Sequence, residues 1–365
     1  MRDLREEGLS LQALEKKGEN RMIRFNSDYS EGAHERILKK LIETNLEQTP
    51  GYGEDEYCHE AAALIKGLCK REDADVHFLV GGTQANLTVI ASALRPYQGA
   101  VGASTAHINV HETGAIEATG HKVLALPSED GKISAAQVEE LWLSHVQDES
   151  FEHTVQPKLV YISNPTELGT TYTKAELEAL YGICRKYGLY LFVDGARLAY
   201  GLMAQGNDLD LPSLAANCDV FYIGGTKVGA LFGEAVVILN DALKQDFRYN
   251  IKQRGGMLAK GRLLGIQFLE LLKDGLYFEL GAHGDKLADE IRSACEKKGY
   301  EFLVPNTTNQ VFPILPDAVL EGWKDKIGYT YQCRVDENHS AIRLCTSWTT
   351  SEEQVKELVK AILED

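Results

Sequence analysis

The chain is short of positive charge: 38 lysines and arginines face 54 aspartates and glutamates, a formal net charge of −16. That balance argues against nucleic acid or an anionic membrane surface as a general partner, while leaving room for a local basic pocket that takes one phosphate or carboxylate. Long apolar runs are missing too. No stretch of about 18 apolar residues could span a membrane, and the first residues lack the apolar core of a secretory signal. The seven cysteines (Cys58, Cys69, Cys184, Cys218, Cys295, Cys333 and Cys345) are scattered, odd in number and without a C-x-x-C pair. Neither a disulfide framework nor a zinc ribbon is indicated, and the thiols read as reduced, so the expected compartment is the cytoplasm. His107 and His111 share one helical face by spacing, but an HExxH order and a third ligand are lacking, so no metal is expected. Internal repeats and low-complexity segments are absent.

What remains is the composition of an ordinary globular protein, 44% apolar and 25% charged. At about 150 residues per domain, 365 residues suggest two or three domains. Residues 1–21 are densely charged and bury too little to offset their ordering entropy, so they read as an N-terminal extension. An arm (22–52), a large domain (53–280) and a smaller C-terminal α+β domain (281–365) follow. Helical patterns run from His34 to about Glu47 and over 55–70, the latter placing Ala62, Ile65 and Cys69 on a core-facing stripe. Strand and helix units alternate through the large domain, with Thr173 and Glu176 forming a capping-box pattern, which indicates an α/β fold with a mostly parallel sheet. Residues 240–280 read as mostly helical. The last segment reads as helix 283–298, strands 301–304, 310–314 and 342–346, and a final amphipathic helix 351–364.

The chemistry gathers around Phe221 to Ile238, FYIGGTKVGALFGEAVVI, where two apolar runs flank a glycine-rich bend carrying Lys227. Such a lysine either reaches water with its tip or is desolvated, which lowers its basicity and makes it a nucleophile for carbonyls. YLFVDGARLAYG (190–201) reads as a strand ending in Asp194, one helix-plus-strand unit before Lys227; a helix cap or turn residue is the plain alternative. VHFLVGGTQANLTVIASAL (76–94) passes from strand through Gly-Gly-Thr into a helix, whose free N–H groups suit a phosphate. Arg343 stands among apolar neighbours in AIRLCTS and needs an anion, either a substrate carboxylate or a structural acid. Taken together, these parts suggest pyridoxal 5′-phosphate: a lysine to carry it, an acid for its ring nitrogen and a helix start for its phosphate.

On these motifs the chain resembles, over roughly residues 22–365, the low-specificity L-threonine aldolases of the β-eliminating lyase group. The resemblance implies the aspartate-aminotransferase-like fold (fold type I). FNSDY resembles an opening segment that places Ser27 near the substrate carboxylate. PGYGEDE resembles a turn that makes Tyr52 a substrate-side or neighbouring-subunit contact. GGTQAN resembles the phosphate loop, giving Gly82 and Thr83 the phosphate, and AHINVHETGA the segment whose histidine, here His107, stacks on the ring with Glu112 in support. VDGAR is similar to the family signature, giving Asp194 the ring nitrogen and Arg197 the substrate carboxylate or a cofactor oxygen. GGTK stands where a Ser-Lys pair is usual, implying Lys227 as the Schiff-base lysine and Thr226 as a phosphate contact. IRLCTSW implies Arg343 for the α-carboxylate.

Two segments depart from the pattern. NPTELG replaces a segment that usually carries a histidine at the substrate's β-hydroxyl, bringing Thr166 and Glu167 into consideration. GGMLAK replaces a G-G-M-R segment that supplies a phosphate arginine across a subunit boundary, so Lys260 or Arg254 is expected to substitute. The resemblance implies retro-aldol cleavage of a β-hydroxy-α-amino acid, L-threonine or L-allo-threonine, to glycine and an aldehyde, with His107 or Glu167 as base. The alternative is another pyridoxal-phosphate lyase or a racemase on the same scaffold, acting by β-elimination or on a bulkier substrate. A non-catalytic binding protein is the answer of a different class. The implied partners are a small amino acid and further copies of the chain, in a homodimer or homotetramer with shared sites.

Overall fold

The computed structural model describes residues 22–364; the N-terminal extension expected at 1–21 lies outside the described residues. Its centre is a seven-stranded sheet made of β1 (Asp75–Leu79), β2 (Gln98–Ala103), β3 (Val123–Leu126), β4 (Gln156–Ser163), β5 (Tyr190–Asp194), β6 (Val220–Gly224) and β7 (Glu234–Ile238). The order is β1-β7-β6-β5-β4-β2-β3, and only β7 runs antiparallel to its neighbours. Strands β6 and β7 are buried along their whole length, as expected for strands covered on both faces. The antiparallel β7 follows from the short bend after β6, which has no room for a crossover helix.

Helix starts are encoded locally. The capping box expected at Thr173 and Glu176 opens the helix Lys174–Tyr187, and Ser134 with Gln137 does the same for Ala135–Gln147. The helix Glu56–Cys69 buries Cys58, Ala61, Ile65 and Cys69, so the stripe is centred on Ala61 and the expected Ala62 lies beside it. The first helix, Glu35–Glu43, is shorter than expected because Thr44 caps it.

The C-terminal part holds a small antiparallel sheet of β8 (Gln310–Val311), β9 (Ile314–Pro316), β10 (Thr330–Arg334) and β11 (His339–Cys345). Strand β10 has no counterpart among the sequence expectations. The expected strand 301–304 is reduced to a single bridge, Phe302 to Pro313, and the expected 310–314 is split in two. Pro313 explains the split, since it has no N–H to give the ladder. A continuous helix, Leu276–Lys298, links the two halves. Leu276 and Tyr277 pack in the large core, whereas Leu287, Ala288 and Ile291 pack in the small one. Ile23 and Phe25 of the arm also belong to the small core.

Candidate active site

The carboxyl ends of β1, β4, β5 and β6 open on one cleft, where functional groups of an α/β sheet usually collect. Two glycines bring the loops of this edge together. A Cβ on Gly224 would lie 2.5 Å from the Ala196 carbonyl oxygen, and the Gly224 N–H donates to the Gly195 carbonyl at 3.0 Å. The glycines of VDGAR and IGGT therefore let the Asp194 and Lys227 loops touch.

Asp194 ends β5, only 4% exposed. Its Oδ1 accepts from the Ala196 N–H at 2.9 Å, and its Oδ2 accepts from Tyr161 at 2.5 Å and from Asn86 at 3.1 Å. The Asn86 amide also donates to Glu112 at 2.7 Å, and Glu112 pairs with His107 Nδ1 at 2.8 Å. Burial opposes the charging of His107, but the Glu112 hydrogen bond and the nearby Asp194 outweigh it and raise the imidazole's pKa. Glu167 joins the same cluster. Its Oε1 accepts from Ser163 Oγ at 2.7 Å and from the His107 backbone N–H at 3.0 Å. Removal of water by the surrounding protein pushes its carboxyl pKa up.

Lys227 lies across the cleft from this network. Among the described residues no ion pair or hydrogen bond engages its ammonium. Loss of water, with the Arg197 guanidinium close by, pushes its pKa down, against the pull of Asp28, Asp194 and Glu234. That is the environment in which a lysine becomes a nucleophile. Gly81, Gly82 and Thr83 line the same cleft at the start of the helix Gly82–Ala93, which has no side-chain cap. Its first-turn N–H groups thus form a ready anion site.

Arg197 faces the cleft, but two of its nitrogens are spent on Asp28, at 2.6 and 3.0 Å. Asp28 is fully buried, and Asn309 donates to it at 2.9 Å. The arm, the large domain and the small domain thus meet at one carboxylate. Burial opposes its ionisation, yet Arg197 and Lys227 hold Asp28 well below the usual carboxylate range. Ser27, the neighbour expected near the substrate, instead bonds Ser30 at 2.9 Å. Arg343 lines an outer extension of the cleft together with His107, Glu167, Arg197, Lys227 and Tyr331. Its Nη1 donates to Gln310 and its Nη2 to the Asn26 carbonyl, while its buried Nε has no partner.

The remaining expected residues divide. Thr226 and Thr166 line the inner cleft, although the Thr166 hydroxyl is engaged with Thr170 at 2.7 Å. Thr226 Oγ1 sits 3.3 Å from Glu234 Oε1. Tyr52, Arg254 and Lys260 do not reach this cleft within one chain. Tyr52 is 48% exposed and left-handed (φ 62°), with its ring under Lys252 Nζ at 4.9 Å, and Arg254 bonds Asn250 and Gln253. Sequence reasoning passed over Asp28, Asn86, Tyr161 and Glu234. Asp28, Asn86 and Glu234 lie inside segments that it had marked for chemistry and Tyr161 does not, but a polar residue in a loop or at a strand end shows its partner only in three dimensions. Among the described residues no group of three or more His, Cys, Asp or Glu is placed to hold a metal.

The β-eliminating lyase family model matches residues 25–318. The chain belongs to that family. It is accordingly a lyase that uses pyridoxal 5′-phosphate. Its relatives include the low specificity L-threonine aldolase of Pseudomonas sp. (strain NCIMB 10558), 32% identical over 93% of this chain and 96% of the relative. The low specificity L-threonine aldolase of Pseudomonas aeruginosa is 30% identical over the same shares. Among solved structures, the threonine aldolase of Leishmania major superposes with a TM-score of 0.91 at 48% identity, covering 93% of this chain and 98% of that one. An aspartate aminotransferase of Thermus thermophilus, at TM-score 0.70 and 15% identity, shares the fold. The residues present fit the cofactor: an unpaired lysine, an acid with three donors and an uncapped helix start converge on one cleft.

Proposed function

We propose that this lyase cleaves a β-hydroxy-α-amino acid, L-threonine or L-allo-threonine, to glycine and acetaldehyde. The observation that carries the reading is Lys227, unpaired and stripped of water, at the floor of a cleft shared with Asp194, Glu167 and Arg197. The names of the Pseudomonas and Leishmania relatives support it.

Lys227 would hold the cofactor through its ε-amine, Asp194 its ring nitrogen, and Gly82, Thr83 and Thr226 its phosphate. When bound, the cofactor supplies the sink for the electron pair left on Cα as the Cα–Cβ bond breaks. Arg343, with the remaining nitrogen of Arg197, holds the substrate carboxylate and so sets which bond at Cα is cleaved. Glu167 takes the β-hydroxyl proton: it lines the same cleft, and burial makes its carboxylate a stronger base. As the Cα–Cβ bond breaks, Cβ departs as the aldehyde carbon, and the proton lost from the β-hydroxyl is balanced by one delivered to Cα as glycine forms. His107, oriented by Glu112, is the second candidate base and the group that packs on the ring.

Tyr52, Lys260 and Arg254 act in this reading from a neighbouring subunit of a homodimer or homotetramer. The exposed Ile42 (77%), Leu46 (91%) and Tyr249 (78%) support an assembly that covers them. Ser27 is retained as a substrate-side group of the arm. No helix among the described residues is long and apolar enough to cross a membrane. The seven free cysteines accord with a cytoplasmic location.

The test is a panel of β-hydroxy amino acids given to the purified, cofactor-loaded protein. Glycine is expected in step with the aldehyde. Pyruvate or a D-amino acid in its place would overturn the reading.

A further inference from the structure

Glu234 is a buried acid at the cleft that the proposed reaction does not use. It opens β7, 3% exposed, with its neighbours fixed by strand register: Leu79 of β1 on one side and Gly224 of β6 on the other. Strands lie about 4.8 Å apart. Reading across the sheet edge, the order is therefore the Gly81–Thr83 turn, then Glu234, then the Lys227 bend, then Asp194. Glu234 stands between the helix start and the lysine. Its Oε1 lies 3.3 Å from the Thr226 hydroxyl, whereas its Oε2 is buried without any hydrogen-bond partner. It is also too far from Lys227 Nζ to make an ion pair.

A carboxylate in this position makes no sense as a fixed charge if a phosphate dianion occupies the neighbouring turn. A carboxylic acid does, since its proton removes the repulsion and gives the unpartnered oxygen something to donate. Resting on the cofactor reading above, we propose that Glu234 must carry its proton for the cofactor's phosphate to seat at Gly81–Thr83, and that its ionisation expels the cofactor. The charged and titratable groups around it are Lys227, which favours ionisation, and Asp194, which opposes it; Tyr222 and Tyr277 lie close by, and Arg197 and Asp28 face Lys227 from the far side. Burial dominates and pushes the Glu234 pKa up to about 8.

The experiment is equilibrium dialysis of full-length holoenzyme, wild type and Glu234→Gln, from pH 6.5 to 9.5, with retained pyridoxal phosphate measured by absorbance. The two proteins should hold the cofactor equally at pH 6.5. By pH 9.5 the wild type should bind at least tenfold more weakly than Glu234→Gln. Equal retention by wild type and Glu234→Gln at every pH, or weaker retention by Glu234→Gln throughout, overturns the proposal. So does a Lys227–cofactor absorbance whose titration midpoint shifts with the substitution in parallel with retention, since the acid would then act through the lysine. A wild type that takes up no cofactor at pH 6.5 sinks the cofactor reading itself, a different failure.

Discussion

The two sides of the cleft are built on opposite principles. On the Asp194 side, each acid accepts two or three hydrogen bonds: three on Asp194, two on Glu167, and those from His107 and Asn86 on Glu112 Oε1, although Glu112 Oε2 is left without a partner among the described residues. On the Lys227 side, among the described residues, the lysine makes no bond and Glu234 accepts one, from Thr226, with its other oxygen unpartnered. A buried polar group without a partner costs stability. The first side is therefore made to hold a geometry, and the second is made to receive something. The contrast predicts that damage to the tied side lowers both stability and activity, whereas damage to the open side lowers activity alone.

Lys227→Met gives the largest effect. Turnover and the absorbance of the bound cofactor should fall to background, while the cofactor-free protein melts at the same temperature or higher, since a dehydrated ammonium has been removed. A lower melting temperature for that protein would break the contrast. Asp28→Ala is the opposite case. Removing one partner of a buried ion pair costs about 3–5 kcal/mol, and here it also frees the arm from Arg197 and Asn309. Denaturant unfolding should show a loss of that order, with turnover falling as well. Glu167→Gln is expected to be gentler on the fold. It keeps the Ser163 contact but loses the proton acceptor, so kcat should drop about 10²-fold with KM little changed. A drop confined to KM would return the proton transfer to His107.

How far these features could be read beforehand depends on whether they are local. The strand ending in Asp194, the Gly-Gly-Thr helix start, the Thr173 capping box and the Lys227 bend depend on neighbours within a few residues, and each was legible. Arg197 was legible as a functional group, but its partner was not, because Asp28 lies 169 positions away in the chain. Glu234 looked like the polar end of an apolar strand, and only the antiparallel placement of β7 between β1 and β6 puts it beside the Gly81–Thr83 turn. Strand β10 escaped because TYQCR is half exposed and shows little of the alternation that marks a strand. Tyr52, Arg254 and Lys260 lie outside the cleft of the single chain.

Asp285 gives the smallest effect and the sharpest control, because it is unpartnered without serving the cleft. It lies on the helix Leu276–Lys298, 4% exposed, and among the described residues neither carboxyl oxygen has a well-formed hydrogen bond, the Asn309 backbone N–H being only a weak influence on it. Burial, reinforced by Asp289 and opposed by Arg292, pushes its pKa up from 3.8 to about 9. The folded protein then binds a proton that the unfolded chain has released, so stability is highest below the unfolded pKa and is lost as pH rises toward 9. Asp285→Asn keeps the shape and removes the titration. Thermal melts should show the variant a few degrees more stable than wild type at pH 8, with the gap closing near pH 4, and turnover on the β-hydroxy amino acid unchanged. A gap that stays the same at both pH values would mean that Asp285 has a partner, and that an unpaired acid in this molecule need not be waiting for a ligand or a proton.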